Sequence, residues 1–321
     1  MKINRSNGIT SGLAVLAVFL LAALAYLPFA SQFGYYNDDW YLIYNGVSRG
    51  SQVFMDIFEI DRPFRGYFVG WMFDLFGVNT VLYSYAAYFM RCMAALGVLW
   101  ITRMVWPHEK VAAVIVALLS VTYPGFLDQP NAIDYQSHIW AFTLAIASVA
   151  FSLKAITKGS PGGLRAILIL LAAVCQAASL LLMEYYIGIE GLRLALMAVM
   201  IQHQAGMRIR DRVRLLVLTW LPSLTCAAGF MVWRQFFFQN QRQATDIGGM
   251  FERLVGSPIL RGIWMGVYML QDLLNVIFFS WAVPVYNLVF GLRLRDALFG
   301  LGLALAAGLA GWAVMVILDR W

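Results

Sequence analysis

Long apolar segments recur along the whole of this 321-residue chain, and they restrict its fold more than any other feature. Most of them match the hydrocarbon core of a bilayer, which an α-helix crosses in ~20 residues. Hydrophobic residues make up 61% of the sequence and charged residues only 12%, which leaves too few polar side chains to cover a water-soluble fold. The sequence therefore predicts a single all-α domain over residues 1–321, a polytopic transmembrane helical bundle.

About nine spans are predicted from the positions of the apolar segments. Residues 164–203 would form a helix ~60 Å long at ~1.5 Å per residue, about twice the hydrocarbon thickness, so the chain must turn within this stretch. The polar interruption at Glu184-Tyr185-Tyr186 predicts a tight hairpin there. The predicted spans are 12–30, 80–102, 110–124, 137–156, 164–183, 185–202, 213–233, roughly 262–291, and 297–318.

The net charge of +6 comes from basic residues that are grouped in every second loop. Because positively charged loops stay on the cytoplasmic side of a membrane, this pattern indicates topology rather than nucleic-acid binding. It predicts a cytoplasmic N-terminus in a bacterial inner (plasma) membrane, with the carboxylates collected on the outer face. The basic residues assigned to the cytoplasmic side are Lys2, Arg5, Arg103, Lys110, Lys154, Lys158, Arg165, Arg208, Arg210, Arg212, Arg214, Arg293 and Arg295.

A cluster of acidic and aromatic residues follows the first span and opens the longest outer loop, residues 31–79. Its adjacent carboxylates, Asp38 and Asp39, are costly to desolvate at a membrane boundary, which favours a role as general base, metal ligand or donor-recognition group. The alternative is a solvated turn flanked by interfacial aromatic residues. The apolar pieces Val53–Ile60 and Phe68–Phe76 are too short to span and predict interfacial helices.

A first span, an outer loop that opens with an acidic pair, and interfacial helices in that loop together resemble the GT-C superfamily of integral-membrane glycosyltransferases, such as arabinosyl- and mannosyltransferases. The matching residues are Asn37-Asp38-Asp39-Trp40, Asp61-Arg62-Pro63 and the hairpin carboxylate Glu184. The likeness covers residues 10–235, a seven-span module, and 236–321 would add C-terminal spans. It implies transfer of a hexose or pentose from a polyprenyl-phosphate donor to a glycan, lipid or protein acceptor on the extracytoplasmic face, in cell-envelope polysaccharide or lipid glycosylation.

The resemblance also assigns chemical roles to residues. Sugar transfer needs a base for the acceptor hydroxyl, and Asp38 is the first choice, followed by Asp39. Guanidinium groups stabilise a leaving phosphate through paired hydrogen bonds, so the donor-phosphate candidates are Arg62, Arg65 and Arg234. The residues expected to line the same site are Asp61, Glu184, Asp128 and His138. If the reaction uses a divalent cation, Mg²⁺ or Mn²⁺, its candidate ligands are Asp38, Asp39 and His138.

Other interpretations stay open on the sequence alone. The chain fits a transporter or flippase of a lipid-linked sugar, whose substrate site would lie near the bilayer midplane, or a non-catalytic membrane subunit that shares the fold. Asp61-Arg62 can be a local ion pair, and Glu184 can cap the hairpin.

Within the spans, Arg91 and Glu190 are predicted to pair, because an unpaired charge there is costly. The sequence ends three residues after the last span, which fits an N-terminal portion of a longer protein.

Overall fold

The computed structural model describes residues 5–126, 131–157, 159, 161–204, 206–238, 247–291 and 293–319. Within these residues every regular element is helical. The α-helices are α1 (Arg5–Tyr26), α2 (Asp39–Arg49), α3 (Val53–Glu59), α4 (Pro63–Phe76), α5 (Thr80–Val105), α6 (Lys110–Val121), α7 (Asp134–Ala155), α8 (Gly162–Leu182), α9 (Ile189–Gln202), α10 (Ile209–Val232), α11 (Ile247–Gly256), α12 (Pro258–Leu274), α13 (Ser280–Phe290) and α14 (Leu294–Asp319). One 3₁₀ turn, Glu184–Gly188, joins α8 to α9, and π-helical turns follow α10 (Trp233–Phe237) and α12 (Asn275–Phe279).

The helices that are long and apolar enough to cross a membrane number six in the part of the chain that the structure describes. They are Thr80–Val105, Asp134–Ala155, Gly162–Leu182, Ile209–Phe237, Pro258–Asn287 and Leu294–Ala313. The apolar parts of α1 (Gly12–Tyr26) and of α6 are shorter, and α9 has 14 residues, or ~21 Å. The all-helical architecture is therefore confirmed, and six helices are candidates to span a membrane by length and composition; the nine predicted spans are not confirmed.

Small side chains let the first helices of the bundle approach closely. Ala14 and Ala22 of α1 pack in one fully buried cluster with Ala95 of α5 and with Ala113 and Ala117 of α6. Residues of this size are the usual contact residues between membrane helices, because they allow the backbones to come near each other. On the opposite side of α5, α7 is covered by α8, α9 and α10. Helices α5 and α7 thus form the centre of the bundle.

The hairpin predicted at Glu184 is confirmed. The Ser179 hydroxyl, near the end of α8, donates 2.8 Å to the backbone oxygen of Ala141 in the first half of α7. Ile201, at the end of α9, packs in the cluster that contains Val105 and Ile156, which lie at or just beyond the far ends of α5 and α7. Helix α9 therefore runs back alongside α7, antiparallel to α8, after a single turn of 3₁₀ helix.

The outer loop 31–79 folds into three short helices, α2, α3 and α4. Helices α3 and α4 correspond to the two apolar pieces for which short helices were predicted, Val53–Ile60 and Phe68–Phe76. Helices α3 and α4 touch at Gly66, where an added Cβ would lie 2.6 Å from the backbone oxygen of Phe54. Phe54 is fully buried in a cluster that also includes Tyr83 of α5 and Ile133, which precedes α7. The loop is therefore a packed cap on the ends of α5 and α7.

Charged residues separate to the two ends of the bundle. The acidic end, beside the capping helices, is defined by the carboxylates Asp39, Asp61, Asp134 and Glu184. The basic end, where α7 finishes and α8 and α10 begin, is defined by Arg165, Arg208, Arg210, Arg212 and Arg214. This separation agrees with the alternation of basic loops in the sequence. Which end faces the cytoplasm stays a prediction.

The position of α14 contradicts the prediction for Arg293 and Arg295. The rings of Phe299, in the second turn of α14, and Phe29, just after α1, are 5.6 Å apart. Further along, Ala307 and Gly311 line a small cavity together with residues 17–24 of α1. Helix α14 is therefore antiparallel to α1 and begins at the acidic end, so the two arginines lie there and not at the basic end.

The path of α12 and α13 explains this difference. The Tyr123 hydroxyl, just after α6 at the acidic end, donates 3.1 Å to the backbone oxygen of Val276, and its ring lies 6.1 Å from that of Trp281. Because the middle of the segment Pro258–Phe290 lies at the acidic end, the chain enters α14 from that end. By length and composition, Pro258–Asn287 remains a candidate span.

Candidate functional site

Arg62 forms a two-pronged ion pair with Glu184 at the acidic end. Its Nε and Nη2 atoms donate to the two carboxylate oxygens at 3.0 and 2.9 Å, and Nη2 also lies 2.8 Å from the Tyr185 hydroxyl. Arg62 directly precedes α4, whose first residue is Pro63, a residue that suits the first position of a helix. The interaction therefore ties the capping loop to the α8–α9 hairpin, 122 residues away.

Arg234 brings a second guanidinium group to the same carboxylate. It lies in the π-helical turn after α10, donates through Nη1 to the backbone oxygen of Asp61, and places Nη2 3.6 Å from Glu184 Oε1. We call Asp61, Arg62, Glu184 and Arg234 the Arg–Glu cluster. Within it, one carboxylate lies between two guanidinium groups, as a bound anion would.

Electrostatic effects in the Arg–Glu cluster favour the ionised forms. Burial alone would raise the pKa of Glu184, but the hydrogen bonds and charge of Arg62, with the charge of Arg234, outweigh burial and lower that pKa below its ordinary value. Burial would likewise lower the pKa of Arg62, but the hydrogen bonds that Arg62 donates to Glu184, together with the charge of Glu184 and the neighbouring Tyr185 and Asp61, outweigh burial and raise that pKa. Both residues therefore carry full charge at neutral pH.

Asp39 serves as the cap of α7. It is fully buried, and its carboxylate accepts the backbone N–H groups of Ala132, Ile133 (2.9 Å) and Asp134 (3.0 Å). These groups have no acceptor within the helix, and a carboxylate at a helix N-terminus also faces the positive end of the helix dipole. Burial raises the pKa of Asp39 above its ordinary value, although the backbone hydrogen bonds oppose this effect.

Arg65 belongs to the start of α7, apart from Arg62. Its Nε donates 3.0 Å to the buried Ser137 hydroxyl, its Nη2 pairs with the Asp134 carboxylate, and its guanidinium lies 4.6 Å from the Phe58 ring centre. His138 places Nε2 3.8 Å from the other oxygen of Asp134. We call Asp39, Arg65, Asp134 and His138 the Asp134 cluster. The Tyr186 hydroxyl donates 3.2 Å to the backbone oxygen of His138 and so links this cluster to the hairpin.

Asp38 is the carboxylate of the acidic pair that faces outward. It is exposed and directly precedes α2, whereas Asp39 next to it is buried. Asn37, before it, has φ of 48°, an uncommon backbone conformation that asparagine tolerates better than most residues. The Asn37 side-chain amide lies 3.4 Å from Asn131 Oδ1. This local geometry turns the two neighbouring carboxylates in different directions.

An apolar groove begins beside the Arg–Glu cluster. Phe64, two residues after Arg62, and Trp233, which precedes Arg234, stand with their rings 5.6 Å apart at one end of the groove. The groove holds about 250 Å³ between α4, α8 and α10. It is lined by Phe64, Ala177, Leu181, Cys226, Gly229, Phe230 and Trp233. Its walls are therefore apolar, and two of its lining residues, Phe64 and Trp233, lie close in the sequence to Arg62 and Arg234 of the Arg–Glu cluster.

The predicted site residues fall into three groups. Asp61, Arg62, Glu184 and Arg234 meet in the Arg–Glu cluster; Asp39, Arg65 and His138 lie in the Asp134 cluster; Asp38 belongs to neither. Asp128 lies outside the described residues. Sequence reasoning missed Asp134 and Tyr185 as partners of these groups. The spacing of Asp134 and His138, one helical turn apart, was the available signal for the first of them.

The predicted ligands of a divalent cation do not come together. No group of three or more His, Cys, Asp or Glu side chains that could hold a metal ion is found in the part of the chain that the structure describes. The Asp39 carboxylate accepts three backbone N–H groups. Asp38, Asp39 and His138 therefore form no group of metal ligands among the described residues, and the use of a divalent cation stays a prediction.

The prediction that Arg91 and Glu190 pair is wrong. Glu190 lies 3.1 Å from Nη2 of Arg193, three residues further along α9, and accepts 2.9 Å from the Trp220 indole N–H. Arg91 instead donates 2.5 Å to the Tyr135 hydroxyl and lies 3.9 Å from the centre of the Tyr26 ring. The two charges face different helices, which the sequence does not reveal.

Three features of the acidic end bear on function: an anion held between two guanidinium groups, an apolar groove that begins beside them, and an exposed carboxylate at the start of α2. The first two depend on contacts between segments that are distant in the sequence. No protein-family model, no curated protein and no solved structure matches the chain.

Proposed function

We propose that the chain is a membrane glycosyltransferase of the GT-C type, which transfers a sugar from a polyprenyl-phosphate donor at its acidic end. The observation that carries the proposal is the Glu184 carboxylate between Arg62 and Arg234, at the end of an apolar groove. A donor of this class has one anionic end and one long apolar end. The Arg–Glu cluster and the apolar walls of the neighbouring groove match that division.

The donor phosphate would take the place of Glu184 between the two guanidinium groups. Arg62 already presents two N–H groups side by side to a pair of oxygens, which is the geometry of a guanidinium–phosphate contact. Arginine N–H groups in this position stabilise the negative charge that develops on the phosphate as its bond to the sugar breaks. The prenyl chain would then follow the groove past Phe64 and Trp233, where burial of its apolar surface adds to binding.

Asp38 is the proposed general base. Its carboxylate is exposed and is free to approach an acceptor hydroxyl, whereas the Asp39 carboxylate is buried and holds three backbone N–H groups of α7. The roles of the pair therefore separate: Asp38 acts on the acceptor, and Asp39 positions the start of α7. Through Asp134 and Arg65, the same capping arrangement fixes α4, which carries Arg62 at its start.

The test is sugar transfer from a polyprenyl-phosphate donor pool by the reconstituted full chain. Asp38→Asn should lose about 100- to 10,000-fold in turnover and keep donor binding, because the substitution removes the basic lone pair and nearly preserves shape. The matched control is Asp56→Asn, an exposed carboxylate in α3 of the same loop. Near-normal turnover in Asp38→Asn would refute its role as base.

Donor recognition is tested separately by binding of the same donor. Arg62→Lys should weaken it, since an ammonium group cannot present two parallel N–H groups. Glu184→Gln should strengthen it, because the amide competes less well than a carboxylate for the two arginines. Unchanged donor affinity in both variants would exclude the Arg–Glu cluster as the phosphate site.

A transporter or flippase of a lipid-linked sugar is the second candidate. One observation favours it: Glu190 and Arg193 are buried inside the bundle, with Arg193 in contact with Ser148, Gln176 and Ser223 on three other helices. Ionisable residues at such depth commonly mark a transport pathway. Translocation of a fluorescent lipid-linked sugar across vesicles, without any sugar transfer, would support this function over the enzyme.

A further inference from the structure

A second cavity lies at the basic end, far from the Arg–Glu cluster. It holds about 420 Å³ where α8 and α10 begin beside the end of α7. Its polar lining consists of Arg165, Gln204, Asp211 and Arg214, and its apolar lining of Ile156, Met207, Leu215 and Leu218, with Gly159 at the edge. None of these residues takes part in the proposed transfer reaction.

The polar floor of this cavity is fixed by hydrogen bonds between loops. The Gln204 side-chain amide donates 3.0 Å to the backbone oxygen of Ile156, and Arg212 donates 3.2 Å to the backbone oxygen of Gln204. Arg165 donates through Nε to the backbone oxygen of Ala155 at 3.1 Å. Neither of its Nη groups takes part in this bond. These bonds link the end of α7 to the start of α8 and join the segments before α10 at the cavity.

The charge of the cavity favours an anion. Two guanidinium groups, those of Arg165 and Arg214, line the cavity with one carboxylate, that of Asp211. Helices α8 and α10 also begin at the cavity, and the positive N-terminal ends of their dipoles add partial positive charge. The neighbouring Arg208 and Arg210 strengthen the positive potential without lining the cavity.

Apolar side chains continue from the cavity along both helices toward the middle of the bundle. On α8, Ile167 and Leu170 are 57% and 64% exposed, and on α10, Leu218 and Leu221 are 56% and 49% exposed. A small soluble anion would leave this apolar surface uncovered, whereas the acyl chains of a lipid would cover it. The cavity is thus cationic at the basic end and opens sideways onto apolar helix surface.

We infer that this cavity binds an anionic phospholipid of the leaflet at the basic end, with its phosphate between Arg165 and Arg214 and an acyl chain along Leu215 and Leu218. Basic pockets between membrane helices at the cytoplasmic side recognise anionic headgroups through the same combination of charge and apolar contact. The inference concerns the opposite end of the bundle from the proposed active site and stands independently of it.

The experiment measures lipid binding to the purified full chain in neutral detergent, by the shift in thermal unfolding on adding phosphatidylglycerol. Phosphatidylglycerol should stabilise the protein, and phosphatidylcholine or sodium phosphate alone should have little effect. The double variant Arg165→Gln/Arg214→Gln should bind phosphatidylglycerol about 30-fold more weakly, at about fivefold per arginine. Arg214→Gln, which alters an exposed side chain, should lose about fivefold and serves if the double variant does not fold.

The control is Arg208→Gln/Arg210→Gln, which removes the same charge from the same end of the bundle but leaves the cavity lining intact. It should keep nearly the full effect of phosphatidylglycerol. Equal losses in the two double variants would show general surface attraction only and overturn the inference. So would equal stabilisation by phosphatidylcholine, or a shift of the same size with sodium phosphate alone.

Discussion

Removing the Arg62–Glu184 pair is the sharpest test of how the acidic end is held together. The two side chains are 15% and 25% exposed, so the pair lies between a surface salt bridge and a buried one. Exposed pairs contribute ~0.2–1 kcal/mol, and breaking a buried pair costs ~3–5 kcal/mol. With two short charge-assisted hydrogen bonds at 3.0 and 2.9 Å, we expect a coupling free energy of about 2 kcal/mol.

The assay is a double-mutant cycle with Arg62→Gln and Glu184→Gln, read as the free energy of unfolding in mixed micelles. Each single variant should lose about 2–3 kcal/mol, and the double variant should lose clearly less than the sum. A parallel cycle between Arg234 and Glu184, whose closest atoms are 3.6 Å apart, should give only about 0.5 kcal/mol. Additive losses in the first cycle, or a larger coupling in the second, would refute this account.

Three further predictions follow from the described geometry. Because the pKa of Glu184 is lowered from 4.5, its stabilising contribution is present above pH 4.5 and is lost as the pH falls through the lowered value; Glu184→Gln should flatten the acid limb of stability measured against pH. Asp39→Ala should destabilise the fold by about 3 kcal/mol by leaving backbone N–H groups of α7 without acceptors, while Asp38→Ala should unfold at nearly the wild-type denaturant concentration. An impermeant thiol reagent added from outside should label Arg295→Cys and spare Ile209→Cys; the reverse result would contradict the direction of α14 or the orientation of the bundle.

Glu184 shows where sequence reasoning succeeded and where it stopped. Its position in a long apolar stretch predicted a turn, because an uninterrupted helix would have exceeded the bilayer. Its partners could not be predicted, since Arg62 lies 122 residues earlier and Arg234 lies 50 residues later in a separate loop. The sequence identified these residues as individual candidates, and their assembly into one cluster depends on how α4, the hairpin and α10 pack.

The acidic pair gives the opposite lesson. Asp38 and Asp39 look equivalent in the sequence, and their shared role rested on being neighbours. In the structure one is exposed and the other is buried against the start of α7. Consecutive residues at a helix start point in different directions, so only the element that packs against them decides which becomes a cap and which stays accessible.

The sequence by itself determined the properties that depend on local composition: the all-helical membrane architecture, the turn at Glu184, the short helices of the outer loop and the separation of charge along the chain. Each follows from hydropathy, length or loop charge, which neighbouring residues set without help from distant ones. Tertiary structure alone decided the direction of α14 and the partners of Arg91 and Glu190. These depend on which helix faces are in contact, and apolar helices of similar hydropathy can pack in several orders until specific side chains select one.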